Sequence, residues 1–407
     1  MKNYDCVIIG GGMVGASSAL ALAQLGLTVA IIEQTQPQNF EQSQNLDLRV
    51  SAISVASQFL LEQLGSWKQI TAWRSCPYKR LGVWEENFSY TEFNAKELNI
   101  DYLGHIVENR LLQLSLWQQV KLQNNITLYC PETLVSLSQN HEKATLVLKH
   151  TSLTAKLVVA ADGANSQVRQ LAHIGITSWD YQQSAMLINV KTDNLQKDIT
   201  WQKFFPTGPV AFLPLSKQNK SDVQNTNQDE EGGYASLVWY HHRDEIKRLS
   251  SLSNKQLQQE ILAKFPKRLG DITVINKGSF PLTRRHANAY HKNRVLLLGD
   301  AAHTINPMAG QGVNLGFKDV KALQTILASA IGNGECWHNE QVLSRYERLR
   351  RKDNLLMQST MDALYHTFSH PSPIIKTIRN ASLFAINKVP VLNSTFKNKA
   401  LAYACGI

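Results

Sequence analysis

Three turns rich in glycine and aspartate, each directly after an apolar run, constrain the fold of this chain more than any other feature of its sequence. The first turn follows residues 7–9, the second follows residues 158–161, and the third follows residues 294–298. Each run is typical of a buried parallel strand. Turns at the ends of neighbouring parallel strands can hold one long, phosphate-containing cofactor at several points. The sequence therefore predicts an α/β fold with a dinucleotide-type site.

The first turn has the GxGxxG spacing, with Gly10, Gly12 and Gly15 between an apolar strand and an alanine-rich helix. The first glycine permits a tight turn, the second lets the backbone approach a pyrophosphate, and the third lets the helix pack on the strand. The N–H groups at the start of the helix, together with its dipole, attract an anion. Glu33 ends the next strand, where a carboxylate can accept hydrogen bonds from ribose hydroxyls.

The third turn favours FAD over NAD because it delivers a carboxylate, Asp300, at the end of an apolar strand. That carboxylate can accept hydrogen bonds from a ribityl chain, which NAD lacks. Gly310, Gln311 and Gly312 then open another helix, whose N–H groups can face the negative charge of a reduced flavin. For the glycine–aspartate pair alone, a β-turn with an Asp N-cap is the simpler interpretation. Three such turns in this order favour the cofactor.

These turns resemble those of the FAD-dependent aromatic hydroxylases of the para-hydroxybenzoate hydroxylase type, and most closely the ubiquinone-biosynthesis hydroxylases. The runs at residues 47–54, 161–169 and 299–314 carry the resemblance, which extends over essentially the whole chain. Within that subfamily, the runs look most similar to members acting on the demethoxylated, methylated ring late in the pathway. The resemblance implies a Rossmann-like FAD-binding domain, a β-sheet substrate domain and C-terminal helices.

The resemblance also implies roles for individual residues. The expected cofactor-binding residues lie in or beside the turns: Gly10, Gly12, Gly15, Glu33, Arg49, Arg110, Asp162, Gly163, Asp300, Gly310, Gln311, Gly312, Val313 and Asn314. Arg49 and Arg110 would lie along the phosphates or the ribityl chain, although a surface or ion-pair arginine is the alternative for each. Asp162 and Gly163 would serve both FAD and the transient nicotinamide.

Two residues of the third motif are catalytic candidates. Pro307 would border the isoalloxazine ring together with residues 310–314, and His303 stands close enough to Asp300 in sequence to be considered as a base. For His303, the alternative is a histidine at a helix start whose ring is satisfied by backbone. The five scattered cysteines show neither a disulfide framework nor a zinc spacing, so we expect no metal site.

The reaction implied by the resemblance is hydroxylation of a polyprenylated benzoquinol such as 2-octaprenyl-3-methyl-6-methoxy-1,4-benzoquinol. Non-covalent FAD would take hydride from NADH or NADPH, form a C4a-hydroperoxide with molecular oxygen, and transfer one oxygen atom to the ring. The nicotinamide would bind transiently, because the sequence has no second strand–GxGxxG–helix unit. Three alternatives stay open: a sister hydroxylase acting on another ring position, a flavin oxidase or reductase without oxygen insertion, and a non-catalytic assembly subunit.

The length of 407 residues suggests two lobes. We expect a discontinuous FAD-binding domain over residues 1–75, 100–180 and 276–335, a substrate-binding β-sheet domain over 76–99 and 181–275, and a C-terminal helical region over 336–407. Strands of the second lobe are predicted at 201–205, 210–215 and 234–240, and a polar loop at 216–233. Phe204, Phe212, Trp239 and Tyr240 either line a pocket or form sheet core.

The formal charge of +10 fits attraction to anionic lipids or acidic partners, since no nucleic-acid-binding motif is present. The N-terminal sequence does not resemble a signal peptide, and no apolar run is long enough to span a bilayer. After residue 370, basic residues occur without any acidic one: Lys376, Arg379, Lys388, Lys397 and Lys399. We expect a cytoplasmic protein resting on an anionic membrane at its inner face, with other pathway proteins and a lipid-handling partner. The alternative is a C-terminal helix packed on the protein's own core.

Overall fold

The computed structural model describes the chain except residues 141, 195, 218–232, 307–309, 389–397 and 406–407. The strands are β1 (Lys2–Ile9), β2 (Val29–Ile32), β3 (Val50–Ser54), β4 (Cys76–Tyr78), β5 (Arg80–Trp84), β6 (Thr91–Asn94), β7 (Gly104–Glu108), β8 (Ile126–Tyr129), β9 (Leu134–Gln139), β10 (Ala144–Leu148), β11 (Ser152–Ala160), β12 (Ile176–Thr192), β13 (Ile199–Lys203), β14 (Val210–Leu215), β15 (Gly233–His242), β16 (Ile272–Ala287), β17 (His291–Lys292), β18 (Val295–Leu297) and β19 (His303–Thr304).

The described α-helices, numbered in chain order, are α1 (Met13–Ala23), α2 (Val55–Gln63), α3 (Trp67–Trp73), α4 (Asn109–Lys121), α5 (Gln167–Leu171), α6 (Arg243–Ser251), α7 (Asn254–Lys264), α8 (Gly312–Gly332), α9 (Glu340–Ser369), α10 (Pro373–Lys388) and α11 (Asn398–Cys405). None of the described helices is long and apolar enough to cross a membrane. The mixture of sheets and helices agrees with the expected α/β class.

The first sheet places the three turns beside one another. Its strands run in the order β17-β18-β11-β1-β2-β8, with β9 and β10 attached beside β11. β1, β11 and β18 are parallel neighbours, with Val7 opposite Val158 and Val158 opposite Val295. Because parallel strands end at the same edge of a sheet, the turns after these three strands meet there. The strands are apolar throughout their buried parts since helices such as α1, α4 and α8 cover the sheet.

The second sheet forms the other lobe, in the order β19-β16-β12-β15-β14-β13-β5-β6. The strands predicted in this region are confirmed as β13, β14 and β15, within two residues at each end. Helices α6 and α7 pack on one face of the sheet. Its other face looks toward the edge of the first sheet at which the turns meet, so the two lobes enclose a common space.

Two long strands connect the lobes. β12 and β16 pair along their lengths, from Ile176 opposite Ala287 to Thr192 opposite Ile272. The expected domain boundaries at 180/181 and 275/276 fall inside these strands, so the second sheet includes a few residues expected in the first lobe. Most of the predicted polar loop at 216–233 lies outside the described residues.

Candidate active site

A cavity of about 560 Å³ lies between the three turns and the second sheet. The turns contribute backbone and polar groups to one part of its wall, including Gly12, Gly163, Asp300 and Gly310. The second sheet and the C-terminal helices contribute mostly apolar side chains to the other part. One continuous space therefore joins a polar region, at the ends of parallel strands, to an apolar region.

The glycines of the first turn have different surroundings. Gly10 has φ +99°, and a Cβ there would lie 2.4 Å from the carbonyl oxygen of Ala161. A Cβ on Gly15 would lie 1.9 Å from the carbonyl oxygen of Gly10. A Cβ on Gly12 would meet no atom within 4 Å, because the backbone there faces the cavity. Packing thus requires glycine at the outer two positions, while the middle one leaves room for a phosphate.

Glu33 holds the first turn from the end of β2. Its Oε2 accepts a hydrogen bond from the Gly11 N–H at 2.6 Å, and its Oε1 accepts from the N–H groups of Gln34 and Thr35. Among the described residues, no side chain caps the start of α1, and its first turn contains no acidic residue. The N–H groups and positive dipole end of α1 are therefore available to an anionic ligand.

The second turn presents a carboxylate with a spare acceptor. Asp162 Oδ2 accepts from the Val168 N–H at 3.1 Å, whereas Oδ1 is buried and has no hydrogen-bond partner among the described residues. Gly163, with φ +80°, lines the cavity beside it, and a Cβ there would face open space. Buried acceptors are seldom left without a donor. The arrangement suits a ligand that carries a hydroxyl or amide group.

The third turn points the Asp300 side chain into the cavity. The protein atoms packed near the carboxyl group desolvate it and raise its pKa, while the charges of His303, Arg49 and Arg285 act in the opposite direction without cancelling the effect. The Asp300 side chain is nevertheless exposed to the cavity, where it can accept a hydrogen bond from a ligand hydroxyl. Arg169 connects the second and third turns, since its guanidinium donates to the carbonyls of Ala164 and Ala301 at 3.1 and 2.9 Å.

A buried polar network lies beneath the third turn. The carboxylate of Asp319, on α8, accepts from the Gly299 N–H at 2.9 Å and from His303 Nε2 at 2.6 Å through Oδ2. Its Oδ1 accepts from Arg350 Nε at 2.7 Å and from Asn354 Nδ2 at 3.3 Å. Burial alone raises the pKa of Asp319, but the charges and hydrogen bonds of His303 and Arg350 outweigh it and lower the pKa to about 2.

Asp319 and Arg350 are not among the site residues predicted from the sequence. A signal was present in the sequence, because Asp319 falls on the same helical face as Leu315 and Leu323, where an apolar residue is the norm. A charged residue at such a position is almost always paired. Its partner on α9 could not be named from spacing, since α9 is a separate element.

Of the two residues predicted to be catalytic, the structure describes His303 but not Pro307. His303 lies in β19 and is almost fully buried, and its ring contacts the Asp319 carboxylate rather than backbone, which corrects the alternative considered from sequence. His303 is not among the described residues of the cavity wall, and Asp319 Oδ2, which accepts from its ring, also accepts from the Gly299 N–H of the third turn. Pro307 lies outside the described residues.

The start of α8 forms one wall of the cavity. Gly310 (φ +63°), Gln311, Gly312 and Val313 line it. Asn314 instead fastens α8 to the neighbouring segment: its Oδ1 accepts from the N–H of Ser54 and the hydroxyl of Ser57, and its Nδ2 donates to the Ala52 carbonyl at 2.8 Å. Asn314 therefore connects α8 to two residues of the cavity wall, Ala52 and Ser54.

The two arginines expected at the cofactor differ in position. Arg49 lines the cavity, with its guanidinium 5.8 Å from the centre of the Phe280 ring, which also lines it. Arg110 forms an ion pair with Asp47 at 2.8 Å and donates to two backbone carbonyls. Arg110 is not among the described residues of the cavity wall, in agreement with the ion-pair alternative.

The apolar region of the cavity is formed by one face of the second sheet. Phe204 and Tyr240 line it, whereas Phe212 and Trp239 pack into the core on the other face. Met361 and Leu364 of α9 and Leu401 and Cys405 of α11 complete the wall. Burial raises the pKa of Tyr240, so its hydroxyl stays neutral at physiological pH. The region is suited to a ring with an apolar substituent.

The polar region fits FAD. The open face at Gly12 and the uncapped start of α1 suit a pyrophosphate, and Asp300, which lines the cavity, offers an acceptor for hydroxyl groups. The start of α8 lies farther along the same cavity, next to the apolar region, where a ring system can meet a second ligand. Among the described residues, no cluster of His, Cys, Asp and Glu side chains could hold a metal ion.

Comparison with known proteins agrees with this geometry. The family model described as FAD binding domain matches residues 3–357. The 3-demethoxyubiquinol 3-hydroxylase of Escherichia coli (strain K12) is 45% identical, over 99% of this chain and 98% of its own length. Ubiquinone hydroxylase UbiL of Rhodospirillum rubrum is 32% identical, over 98% of this chain and 90% of its own. The solved structure of p-nitrophenol 4-monooxygenase PnpA from Pseudomonas putida DLL-E4 shares the fold, with a TM-score of 0.77 and 20% identity, over 99% of this chain and 98% of its own.

Proposed function

The chain belongs to the FAD binding domain family and is an FAD-dependent monooxygenase, and from this premise we propose that it hydroxylates the ring of a polyprenylated benzoquinol in ubiquinone biosynthesis. The observation that carries the proposal is the continuous cavity, which joins the polar cofactor region to an apolar pocket. The name of the 45% identical relative supports a demethoxyubiquinol as the preferred substrate. NADH or NADPH is the proposed electron donor and molecular oxygen the co-substrate.

FAD, when bound, would supply the oxygen-activating chemistry that the side chains lack. The chain's own groups would hold it: the backbone at Gly12 and the start of α1 would bind the pyrophosphate, and Asp162 and Asp300 would accept from hydroxyl groups. The N–H groups at the start of α8 would stabilise negative charge on the reduced flavin. These residue roles, like the expected roles of Glu33 and Arg49, are part of the proposal.

The remaining groups position the substrate and exclude water. The apolar wall from β12, β15 and α9 removes water from around the reacting ring, which strengthens the polar contacts that remain. The neutral Tyr240 hydroxyl can donate a hydrogen bond to a quinol oxygen or accept one from it. His303 does not reach the cavity in this proposal; it positions the third turn through Asp319.

Quinone profiling of a strain that lacks the gene tests the reaction. We expect a demethoxyubiquinone to accumulate and the wild-type gene to restore ubiquinone, while a gene encoding Asp300→Ala restores much less. An accumulated earlier phenol assigns the chain to a different ring position. A normal quinone profile contradicts the proposed function altogether.

Peripheral attachment to the inner face of the cell membrane, together with other ubiquinone-pathway proteins, completes the proposal. The formal charge of +10 supports it. The expected contact of Arg379 with lipid headgroups is wrong, because its side chain is 4% exposed and its guanidinium is paired with Glu85. Lys376 pairs with Glu86 at 2.6 Å, and Lys399 is exposed. The side chains of Lys388 and Lys397 lie outside the described residues.

A further inference from the structure

The outward face of α10 is apolar. Ile374, Ile378 and Phe384 are 72%, 60% and 46% exposed, and they lie on one side of the helix with Thr377 and Ala381. All five residues are uncharged, although they face solvent. An outward helix face of a soluble protein normally carries charged or polar residues. A contiguous exposed apolar surface indicates a contact that the isolated chain does not make.

Buried polar contacts fix the opposite face of α10. Arg379 Nε and Asn380 Nδ2 each donate to Glu85 Oε2 at 2.6 Å, and Arg379 Nη1 donates to the Thr367 carbonyl at 2.6 Å. Turning the helix to hide its apolar side would leave Glu85 and Arg379 buried without partners. Such unpaired buried charges are strongly destabilising. The ion pair therefore holds the apolar side outward.

A neighbouring turn extends this surface. Phe88, 65% exposed, lies across a shallow groove of about 590 Å³ from Phe384, and Thr377 and Ala381 form part of the groove wall. The paired Lys376 and Glu86 lie at the groove as well. We call Phe88, Ile374, Ile378, Ala381 and Phe384 the outer patch.

We propose that the outer patch inserts into the boundary between the headgroups and acyl chains of a lipid bilayer, with α10 lying in the plane of the membrane. Lys376 and Arg379 are paired with Glu86 and Glu85, but the same C-terminal segment, residues 371–407, contains no acidic residue and three further lysines, Lys388, Lys397 and Lys399. This surplus of positive charge favours anionic headgroups. The patch has five apolar residues, whereas a stable protein interface takes roughly 20–30 residues a side. A bilayer is therefore a better match than a second copy of the chain.

The inner side of α10 connects the outer patch to the cavity. Leu383 packs against the cluster that contains Phe204 and Tyr240, and both of these line the cavity. Leu364 of α9 also lines the cavity and is partly exposed. This inference rests on the proposed function in one respect: a prenylated quinol dissolved in the bilayer would then enter the cavity from a membrane only one helix away.

Vesicle flotation of the FAD-bound protein tests the outer patch. The variant is Ile374→Ser/Ile378→Ser/Phe384→Ser, and the matched control is Phe59→Ser/Leu122→Ser, which removes two apolar side chains of similar exposure (58% and 71%) on α2 and after α4. Vesicles contain phosphatidylethanolamine and phosphatidylglycerol. We expect at least tenfold weaker flotation of the triple variant and unchanged flotation of the control. Flavin absorbance and turnover of a short-chain, water-soluble quinol are expected to stay within twofold of wild type in both.

Equal flotation of the triple variant and wild type overturns the inference. A wild-type dimer that the triple variant dissociates, without any flotation, overturns it in favour of a second copy. If flotation depends on the outer patch but no variant, wild type included, hydroxylates a quinol, the inference stands and the proposed substrate is wrong.

Discussion

Replacing Asp319 by asparagine removes one negative charge from the fully buried network beneath the third turn. Asparagine has the same shape but only one carbonyl oxygen, whereas Asp319 accepts four hydrogen bonds through two oxygens. Arg350 would remain buried and charged beside a neutral amide. We expect the variant to fold less stably and to bind FAD more weakly, because its single amide oxygen cannot accept from both the Gly299 N–H that anchors the third turn and the Arg350 guanidinium.

The pKa of Asp319 gives the size of this effect. The folded value of about 2 lies below the ordinary value of 3.8, which corresponds to roughly 2 kcal/mol of stabilisation by the charged form. Since the folded pKa is the lower one, this stabilisation is complete above about pH 4 and is lost as the pH falls toward 2. Breaking a buried ion pair from one side costs about 3–5 kcal/mol. The two values bracket the expected loss at pH 7, about 2–5 kcal/mol.

Urea unfolding of the apoprotein, followed by far-UV circular dichroism at pH 7 and at pH 3, measures this loss. Asp353→Asn is the control, because Asp353 also contacts Arg350 but is partly exposed, and we expect it to cost less than about 1 kcal/mol. When the pH is lowered from 7 to 3, the free energy of unfolding should fall less for Asp319→Asn than for wild type, because the variant lacks the Asp319 carboxyl group. A cost at pH 7 equal to that of the control would refute the reasoning.

Three further predictions concern the cofactor site and the membrane. Gly15→Ala should abolish soluble folded protein, because its Cβ would lie 1.9 Å from a carbonyl oxygen. Gly12→Ala should instead fold normally by circular dichroism and bind FAD at least tenfold more weakly. Asp300→Ala should keep the wild-type circular dichroism spectrum but lower the flavin content after gel filtration, and full flavin retention would contradict its role. Replacing Lys388, Lys397 and Lys399 with Gln should reduce the salt-sensitive part of vesicle binding severalfold, while neutral vesicles, which lack headgroup charge, should show no difference.

The sequence by itself determined the features that depend on local backbone geometry. Gly10, Gly12 and Gly15 lie where a tight turn, an open approach and a close helix contact require glycine, and their spacing predicts each requirement. The apolar runs before the three turns predict parallel strands, because a strand that is buried on both faces of a sheet contains few polar residues. The resemblance of these motifs to a known family predicted the fold class, FAD and the reaction type.

Only the tertiary structure decided which distant groups meet. Asp319 pairs with His303 and Arg350 through segments that no local pattern connects, and Arg379 turned out to be a buried partner of Glu85 rather than a membrane contact. The reason is physical: a motif encodes the conformation of its own backbone, whereas the partner of a charged side chain depends on how separate elements pack. Packing also decided that α10 presents its apolar residues outward, which neither its composition nor its period could show.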